Sequence, residues 1–317
     1  MIIITDEQIK KLNINPSLCI DWVKESFMLK DNSVLPPKIS LHPQGDDFFN
    51  TMPVLIPGKD GAFLYGVKVV HRLKNTTPSL GSDILLYNAL SGELLALING
   101  DWITAMRTGA VAALSALMFR KSEKAVYSFS GLGNTARSTL LCLLEKEPDF
   151  THNVLLLKYK DQATSFKERF NKYPNVNFMV YDDIHDLLSH TDVHFHCVTS
   201  SPNLFCADNS VFHEGFLLIP IHTRGFQNCD LFFDKIIGDD KGHINHFQYF
   251  NQFKYFAEMT DVLKGRKQGR ENDKERIICY NIGIALHDIT FAIKVYEKLS
   301  QKLPEVCLSH QKQKFWV

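Results

Sequence analysis

The sequence feature that most constrains the fold is a glycine-rich turn, Gly131 to Ala136, between an apolar segment and a helical one. It has the form G-x-G-x-x-A and directly follows the apolar segment 125–130. In a strand–turn–helix unit, the first glycine permits a tight turn and the second leaves room for a pyrophosphate. The small third residue lets the helix pack closely on the strand. Taken alone, the motif also fits an ordinary strand–helix turn.

The rest of this region alternates between strand and helix patterns. Predicted strands cover 125–130, 154–158, 178–181, 193–198, 216–221 and 276–280, and predicted helices cover 135–144, 161–170 and 183–188. Strands that alternate with helices form parallel βαβ units. We therefore predict an α/β protein with a Rossmann-type, doubly wound parallel sheet over residues 121–282. In this context, dinucleotide binding at the glycine-rich turn is favoured over the ordinary turn.

The region before the glycine-rich turn has a different pattern. A helical pattern covers 6–27, short apolar segments follow between 38 and 97, and a long apolar helix is predicted from Ala105 to Phe119. This order indicates an α+β domain over residues 1–120, and a C-terminal helix within 283–317 could return to it. The 317 residues exceed the ~250–300 at which a single core usually stops growing, which also favours two domains.

The composition excludes several classes of protein. The chain has 35 basic and 35 acidic residues and is 45% hydrophobic, which argues against a disordered tail and a basic nucleic-acid binder. The longest uncharged run, 193–207, is too short for a membrane span, and the N-terminus lacks the basic residues of a signal peptide. We expect a cytoplasmic protein that acts on a small molecule, without a nucleic-acid or membrane partner.

The cysteine and histidine pattern does not indicate a metal. Seven cysteines are scattered along the chain without a C-x-x-C pair, which also argues against a disulfide framework. His194 and His196 alternate along a predicted strand and could supply two ligands, but no third ligand lies nearby in the sequence. We therefore expect no metal site.

The residues after the second Rossmann strand bear on the choice of cofactor. That strand ends in Lys158, Tyr159 and Lys160, at the place where an acid would bond the ribose 2′-hydroxyl of NAD. The lysines could contact the 2′-phosphate of NADP. Asp161 could instead serve the hydroxyl, or could simply cap the next helix. The pattern leaves NAD and NADP open.

One lysine interrupts an apolar segment of the first domain. Lys68 lies in the sequence G-V-K-V-V at 66–70. If the side chain is buried, desolvation lowers the pKa of its ammonium group, which then becomes a proton donor or acceptor near neutral pH. The same pattern fits a lysine on a solvent-facing strand edge, and composition does not separate the two.

An arginine, Arg107, lies close to the predicted start of the long apolar helix and is followed by Thr108. A guanidinium at the positive end of a helix dipole gains nothing from that dipole, so an anionic partner is expected. A ligand carboxylate and a structural ion pair would both supply it. We favour the ligand, because Arg107 and Lys68 both lie in the part of the chain that does not bind the nucleotide.

Together these motifs resemble the ornithine cyclodeaminase/mu-crystallin family. The resemblance rests on Pro37-Lys38, Met52-Pro53, the G-V-K at 66–68, the segment 103–110 and the glycine-rich turn, and it extends to the segment 283–288. It implies a homodimer whose first domain, completed by the C-terminal helix within 283–317, supplies the dimer interface and the substrate site, beside a Rossmann domain that binds NAD or NADP. Lys38 stands where the family usually has an arginine that binds the substrate carboxylate, so a bidentate fork is lost.

The resemblance also supplies candidate site residues. The expected substrate contacts are Lys38, Met52, Lys68 and Arg107. The expected cofactor contacts are Thr108, Gly131, Gly133, Asn134, Thr135, Ala136, Lys158, Lys160 and Thr199. Lys68 and His222 are the candidate catalytic residues.

One segment departs from the deaminating members of the family. True cyclodeaminases carry G-A-D-x-P-G-x-x-E after the last Rossmann strands, with an aspartate that acts on the substrate amine, whereas residues 219–226 here read I-P-I-H-T-R-G-F. His222, with Asp239, Asp240 and His243 downstream, is more similar to the branch with the SbnB-type amino-acid dehydrogenases of diaminopropionate biosynthesis. The resemblance therefore points away from ornithine deamination.

The favoured function is an NAD(P)-dependent oxidoreductase of specialised amino-acid metabolism. It would move hydride between a nicotinamide and the α-carbon of a small amino or imino acid, as an amino-acid dehydrogenase or imine reductase. Lys38 and Arg107 would hold the carboxylate, and Lys68 would stabilise or protonate the amine. His222 would act as acid or base. A cyclodeaminase with internally recycled NAD and a non-catalytic, NADPH-binding protein like mu-crystallin are the alternatives.

Overall fold

The structure is a computed structural model of the chain, and it describes residues 1–58, 61–199, 203–221, 225–308 and 313–314. The chain divides into two compact units. The first unit contains Met1–Asn13, Asn32–Thr104 and Asp288–Val317, and the second contains Ile14–Asp31 and Ala105–His287. Each unit has its own β-sheet.

Eight α-helices and fourteen strands are found in the described ranges. The helices are α1 (Asp6–Lys11), α2 (Pro16–Leu29), α3 (Asp101–Phe119), α4 (Asn134–Lys146), α5 (Gln162–Arg169), α6 (Ile184–Ser189), α7 (Met259–Leu263) and α8 (Ala285–Leu299). The strands are β1 (Ile2–Ile4), β2 (Ile39–Leu41), β3 (Phe48–Pro57), β4 (Phe63–Arg72), β5 (Leu80–Asn88), β6 (Leu94–Asn99), β7 (Tyr127–Ser130), β8 (His152–Leu157), β9 (Val176–Tyr181), β10 (Val193–His196), β11 (Leu217–Pro220), β12 (Lys235–Gly238), β13 (Phe256–Glu258) and β14 (Ile277–Tyr280).

The first unit contains a six-stranded sheet in the order β1-β6-β5-β4-β3-β2. β1 runs parallel to β6, and all other neighbouring strands are antiparallel. β4 lies between β3 and β5, and its residues Gly66, Lys68 and Val70 are buried in alternation with more exposed neighbours. This alternation is expected of a strand with one buried face. The predicted α+β layer is confirmed.

The second unit contains an eight-stranded parallel sheet in the order β13-β12-β14-β11-β10-β7-β8-β9. The predicted Rossmann-type, doubly wound sheet is thereby confirmed. The strands that follow β7 in the chain, β8 and β9, lie on one side of it, and β10 and β11 lie on the other. The winding therefore reverses between β7 and β10, which is where open parallel sheets of this kind bind their ligands.

The single helix predicted over 6–27 is wrong, because the chain turns between α1 and α2. Thr5 and Gln8 form a capping box at the start of α1. Asn13 then adopts a positive φ of 44°. Asn15 caps α2, accepting a hydrogen bond from the Ser17 N–H at 2.8 Å. Pro16 at the first helical position is favourable there but would break a continuous helix.

The long apolar helix α3 begins at Asp101 rather than at Ala105. A Cβ added at Gly109 would lie 2.4 Å from both the carbonyl carbon and the Oγ of Ser138, so this glycine lets α3 approach α4 closely. Residues 105–119 accordingly belong to the second compact unit, whereas we predicted a boundary at residue 120. The predicted division into one domain of residues 1–120 with 283–317 and a second domain of residues 121–282 stays a prediction.

By length and composition alone, α3 could cross a membrane. However, 72% of its apolar window is buried inside the protein. Buried helices that are apolar all round are common in the cores of large proteins, where they need no lipid.

Candidate active site

The glycine-rich turn connects the carboxyl end of β7 to the start of α4. Gly131 has a φ of 78°, and a Cβ added there would lie 2.7 Å from the carbonyl oxygen of Cys197 and 2.8 Å from the amide nitrogen of Val198. Both of those residues directly follow β10. Glycine is required here by the left-handed backbone and by the close approach of the two loops. The turn therefore lies at the switch point of the parallel sheet.

The second glycine of the motif leaves open space at the start of α4. A Cβ added at Gly133 would meet nothing within 4 Å in the described structure, and its φ of −79° suits any residue. Among the residues described, no side chain caps α4. Asn134 is exposed, Thr135 half-buried and Ala136 buried. Because a helix start offers N–H groups and partial positive charge, this cradle fits the pyrophosphate of a dinucleotide.

The two lysines predicted to contact the cofactor lie in the turn after β8. Lys158 Nζ lies 2.7 Å from Asp182 Oδ1, and this contact raises the pKa of the exposed lysine. Lys160 has a φ of 49°, and its Nζ lies 5.4 Å from the centroid of the Tyr159 ring. Asp161 stands at the N-cap position of α5, and within the described chain its side chain makes no capping bond. The structure thus leaves both lysines accessible at this edge.

The two predicted threonine contacts differ in exposure. Thr199 is exposed and lies just beyond the carboxyl end of β10, on the same edge of the sheet as the glycine-rich turn. Thr108 is only 3% exposed, within α3. Their contacts to a cofactor stay predictions.

Arg107 lies in the second turn of α3, because the helix begins at Asp101. Our argument from the helix dipole was therefore wrong, since the dipole acts mainly in the first turn. The Arg107 side chain is buried, with 4% exposure. Its charge lowers the pKa of Asp239, against the larger effect of burial, which raises that pKa. Asp239 is therefore a buried carboxyl group of the same unit that interacts electrostatically with Arg107, and a ligand carboxylate at this residue stays a prediction.

The buried carboxylate, Asp239, was used in the sequence analysis only as a marker of a family branch. It directly follows β12 and is 1% exposed. The Gly283 N–H donates to its Oδ2 at 2.7 Å, and Asn281 Nδ2 lies 3.4 Å from its Oδ1. An acidic pair directly after a buried strand, Asp239 and Asp240, is the signal that could have identified it.

Two of the four predicted substrate residues pair across neighbouring strands, and a third continues the same line. Met52 on β3 pairs with Lys68 on β4, so that both side chains point to one face of the sheet. Ile39 on β2 pairs with Thr51, and extending this register by one residue places Lys38 across from Met52. We call Lys38, Met52 and Lys68 the lysine row.

Lys68, at the β4 end of the lysine row, forms a buried ion pair. Lys68 Nζ lies 2.7 Å from Asp288 Oδ1, and both side chains are 0% exposed. The two residues are 220 positions apart in the chain, and Asp288 lies in the first turn of α8. Removing two charges from water is costly, and their attraction at this distance offsets part of that cost. The alternative that Lys68 is buried is confirmed, and the solvent-facing edge is wrong.

The glycine of the G-V-K segment makes this ion pair possible. A Cβ added at Gly66 would lie 2.6 Å from two carbons of Ile289, the residue that follows Asp288. Because Gly66 has no side chain, α8 can pack directly on β4. The motif therefore combines a packing position, Gly66, with a charged position, Lys68.

β7 and β10 share a buried chain of serines and histidines that the sequence analysis did not predict. The strand register pairs Ser128 with His194 and Ser130 with His196. The two nitrogens of His194 lie 2.7 Å from Ser128 Oγ and 3.0 Å from Ser130 Oγ, and Ser130 Oγ lies 2.7 Å from His196 Nδ1. Burial lowers the pKa of His196 to about 4, and burial together with His196 lowers the pKa of His194 well below 6.5. Neutral imidazoles therefore connect the two strands.

We expect this chain to make the second unit sensitive to acid. The pKa of His196 is about 4 in the folded state against 6.5 for an ordinary histidine. The unfolded state therefore takes up a proton below pH 6.5 while the folded state does not. The contribution of His196 to the free energy of unfolding is therefore fully present above pH 6.5. It falls by roughly 3 kcal/mol as the pH decreases to about 4.

Urea unfolding between pH 4 and 7.5 measures this dependence. His196→Gln should lose the part of this dependence that comes from His196, while His194 keeps its own part, so the free energies of unfolding of the two proteins should converge as the pH falls. His42→Gln, at an exposed histidine, is the matched control and should keep the wild-type dependence. Parallel curves for wild type and His196→Gln would contradict the assignment.

Two sequence predictions concern metals and the acid or base. Across the described ranges, no group of three or more His, Cys, Asp or Glu side chains could hold a metal ion. Both nitrogens of His194 form hydrogen bonds with serine hydroxyls, so this histidine links β10 to β7 within the sheet.

His222, with Thr223 and Arg224, lies outside the described residues. Its role as acid or base stays a prediction.

Comparisons with known proteins place this architecture in context. The chain is 25% identical over 319 aligned positions to the Δ1-pyrroline-2-carboxylate reductase of Colwellia psychrerythraea, covering 95% of this chain and 100% of that protein. It is 22% identical over 233 positions to the N-((2S)-2-amino-2-carboxyethyl)-L-glutamate dehydrogenase of Staphylococcus aureus, covering 69% and 68%. Among solved structures, an archaeal alanine dehydrogenase dimer with bound NAD has a TM-score of 0.82 at 23% identity, covering 96% and 98%.

The family-level comparison spans nearly the whole chain. A sequence profile of the ornithine cyclodeaminase/mu-crystallin family matches residues 2–303, a range that includes both sheets, the glycine cradle and the Lys68–Asp288 ion pair. The resemblance inferred from the motifs is confirmed, and this chain belongs to the ornithine cyclodeaminase/mu-crystallin family.

Proposed function

We propose that this chain is an NAD(P)-dependent oxidoreductase that acts on the α-carbon of a small amino or imino acid, as an amino-acid dehydrogenase or imine reductase. The observation that carries the proposal is the cradle at the switch point, where Gly133 leaves open space beside the start of α4. The relatives support the chemistry, since their names describe a reductase of a cyclic imino acid and dehydrogenases of amino acids.

Each part of the proposed reaction is assigned to particular residues of the chain. When bound, the nicotinamide supplies or accepts a hydride at the α-carbon. The N–H groups at the start of α4 would bind the pyrophosphate. Lys68 would hold a proton at the substrate nitrogen, oriented by Asp288. Lys38 and Arg107 would bind the substrate carboxylate, as the family resemblance implies.

We also propose that the protein is a homodimer, as the family resemblance implies. β2 is an edge strand of the six-stranded sheet, and its residues Ile39 and Leu41 are 59% and 65% exposed. Phe49, which pairs with Leu41, is also exposed. Apolar residues on an exposed edge favour pairing with another chain. Sedimentation velocity at micromolar concentration measures the dimer directly, and a monomer at all concentrations would contradict it.

A turnover screen followed at the nicotinamide absorbance tests the function. The candidate substrates are Δ1-pyrroline-2-carboxylate and the imine that pyruvate forms with ammonia. Each is assayed with NADH and with NADPH. We expect at least one imine to be reduced with one cofactor oxidised per product formed. Ornithine with a catalytic amount of NAD is the comparison, because a cyclodeaminase would release ammonia and proline without net change in the cofactor. That result, or binding of cofactor without turnover of any amino or imino acid, would contradict the proposal.

A further inference from the structure

The turn between β8 and α5, residues 158–161, lies where a Rossmann fold distinguishes its cofactors. β8 is the neighbour of β7 in the parallel sheet, so this turn shares the carboxyl edge with the glycine-rich turn. In folds of this kind, an acid at the end of the second strand bonds the ribose 2′-hydroxyl of NAD. A cation nearby accommodates the 2′-phosphate of NADP instead.

At this position the chain has cations and no strand-end acid. β8 ends at Leu157, and Lys158 follows, with its N–H donating to the Tyr181 carbonyl of β9 at 2.8 Å. Lys158 therefore occupies the strand-end position that would stand beside the ribose in a fold of this kind. Asp161 comes three positions later, at the N-cap of α5.

The second carboxylate of this edge is already paired with a lysine. Asp182 directly follows β9, and its Oδ1 lies 2.7 Å from Lys158 Nζ. The two side chains are 56% and 79% exposed, for Lys158 and Asp182 respectively. Exposed ion pairs of this kind contribute little to stability, so Lys158 can exchange the carboxylate for a phosphate oxygen at small cost.

Lys160 adds a second cation beside the first. Its φ of 49° lies in the left-handed region, which lysine rarely adopts. Its ammonium lies 5.4 Å from the ring centroid of Tyr159, a residue that is itself 56% exposed. Three consecutive residues therefore present two ammonium groups and an aromatic ring at the edge that would meet the adenosine ribose.

We propose that Lys158 and Lys160 bind the 2′-phosphate and that the chain selects NADP(H) over NAD(H). The inference rests on the proposed nicotinamide-dependent function and names its cofactor. A phosphate has three acceptor oxygens and carries nearly two negative charges at neutral pH, so that two ammonium groups can bind it together. A ribose hydroxyl offers neither the charge nor the number of acceptors. In this account Asp182 holds Lys158 until the phosphate replaces it.

Calorimetric titration of the full chain with 2′,5′-ADP and with ADP tests the phosphate contact without the nicotinamide. We expect 2′,5′-ADP to bind at least about tenfold more tightly than ADP. The double variant Lys158→Ala and Lys160→Ala should lose most of this difference, while its affinity for ADP changes less than about threefold. Asp182→Asn should act in the opposite direction, because it removes the competitor for Lys158. The preference for 2′,5′-ADP over ADP should weaken as salt is added, because the two lysines are exposed to solvent.

Lys172→Ala is the matched control. Lys172 has the same relation to an aromatic neighbour as Lys160, with its Nζ 4.9 Å from the Tyr173 ring centroid, but it lies beyond the far end of α5. It should leave the affinities for both nucleotides unchanged. Equal binding of ADP and 2′,5′-ADP, or equal losses for both in the double variant, would overturn the proposal.

Parallel titrations with NADH and NADPH separate this inference from the function on which it rests. Tight NADPH and weak NADH binding support both. Tight NADH and weak NADPH binding overturn the 2′-phosphate site but leave the proposed function in place. Binding of neither nucleotide overturns both.

Discussion

Gly133→Val should abolish binding of the nicotinamide nucleotide, lowering its affinity at least about 100-fold, while the protein stays folded. The backbone at Gly133 has a φ of −79°, and a Cβ there meets no protein atom within 4 Å in the described structure. A valine side chain therefore fits the protein but fills the space beside the start of α4 that the pyrophosphate requires. Fluorescence titration with NADPH and NADH measures the loss, and circular dichroism checks the fold.

Gly131→Ala is the matched comparison at the same turn. A Cβ at Gly131 would lie 2.7 Å from the Cys197 carbonyl oxygen, and its φ of 78° is unfavourable for alanine. This variant should lower the free energy of unfolding by about 1–3 kcal/mol. The two glycines thus separate a binding role from a structural one. Wild-type nucleotide affinity in a folded Gly133→Val variant would remove the cofactor assignment of residues 131–136.

Lys68→Met should lower kcat/KM by at least ~100-fold, equivalent to about 2.7 kcal/mol of transition-state stabilisation. Its effect on nucleotide affinity should stay below about threefold, because the cradle that would bind the pyrophosphate is formed by the glycine-rich turn and the start of α4, not by Lys68. The reason is that methionine keeps the shape of the side chain but cannot hold or donate a proton. Steady-state kinetics with the substrate identified by the screen measures the loss.

The single variant also leaves Asp288 as a buried charge, which can cost about 3–5 kcal/mol of stability. The double variant Lys68→Met and Asp288→Leu is therefore the sharper test. Replacing both members of a buried ion pair by apolar residues of similar volume is often neutral for stability. A folded double variant should remain as inactive as Lys68→Met. Wild-type kcat/KM in that protein would place the chemistry elsewhere.

Much of the fold was predictable because its signals are local. The alternation of apolar strands and helices after residue 121 predicted the parallel sheet, and the position of Gly131 predicted a tight turn between a strand and a helix. The break before Pro16 also has a local signal, the proline itself. It was missed because the apolar residues of 6–27 keep a helical spacing on both sides of the break. The strands β12 and β13 were not predicted. They have four and three residues, too few to show an alternation of apolar and polar residues.

The site was less predictable because its contacts are distant in the chain. Lys68 was identified, but its burial depends on Asp288, 220 residues later, and on the packing of Ile289 over Gly66. The electrostatic interaction of Arg107 with Asp239 likewise joins α3 to the end of β12. The histidines at 194 and 196 were noted for their alternation. Their partners were missed because pairing β10 with β7 requires the sheet order.

Transfer of deuterium from NADPH or NADH that carries two deuterium atoms at C4 of the nicotinamide tests the central claim most directly, because either hydrogen that the enzyme transfers is then labelled. The labelled cofactor is incubated with the protein and the imine found by the screen, and the amino-acid product is examined by mass spectrometry and NMR. We predict one deuterium at the α-carbon of each product molecule and one cofactor oxidised for each product formed. An unlabelled product, or product formed while the labelled cofactor remains unchanged, would contradict hydride transfer to the α-carbon.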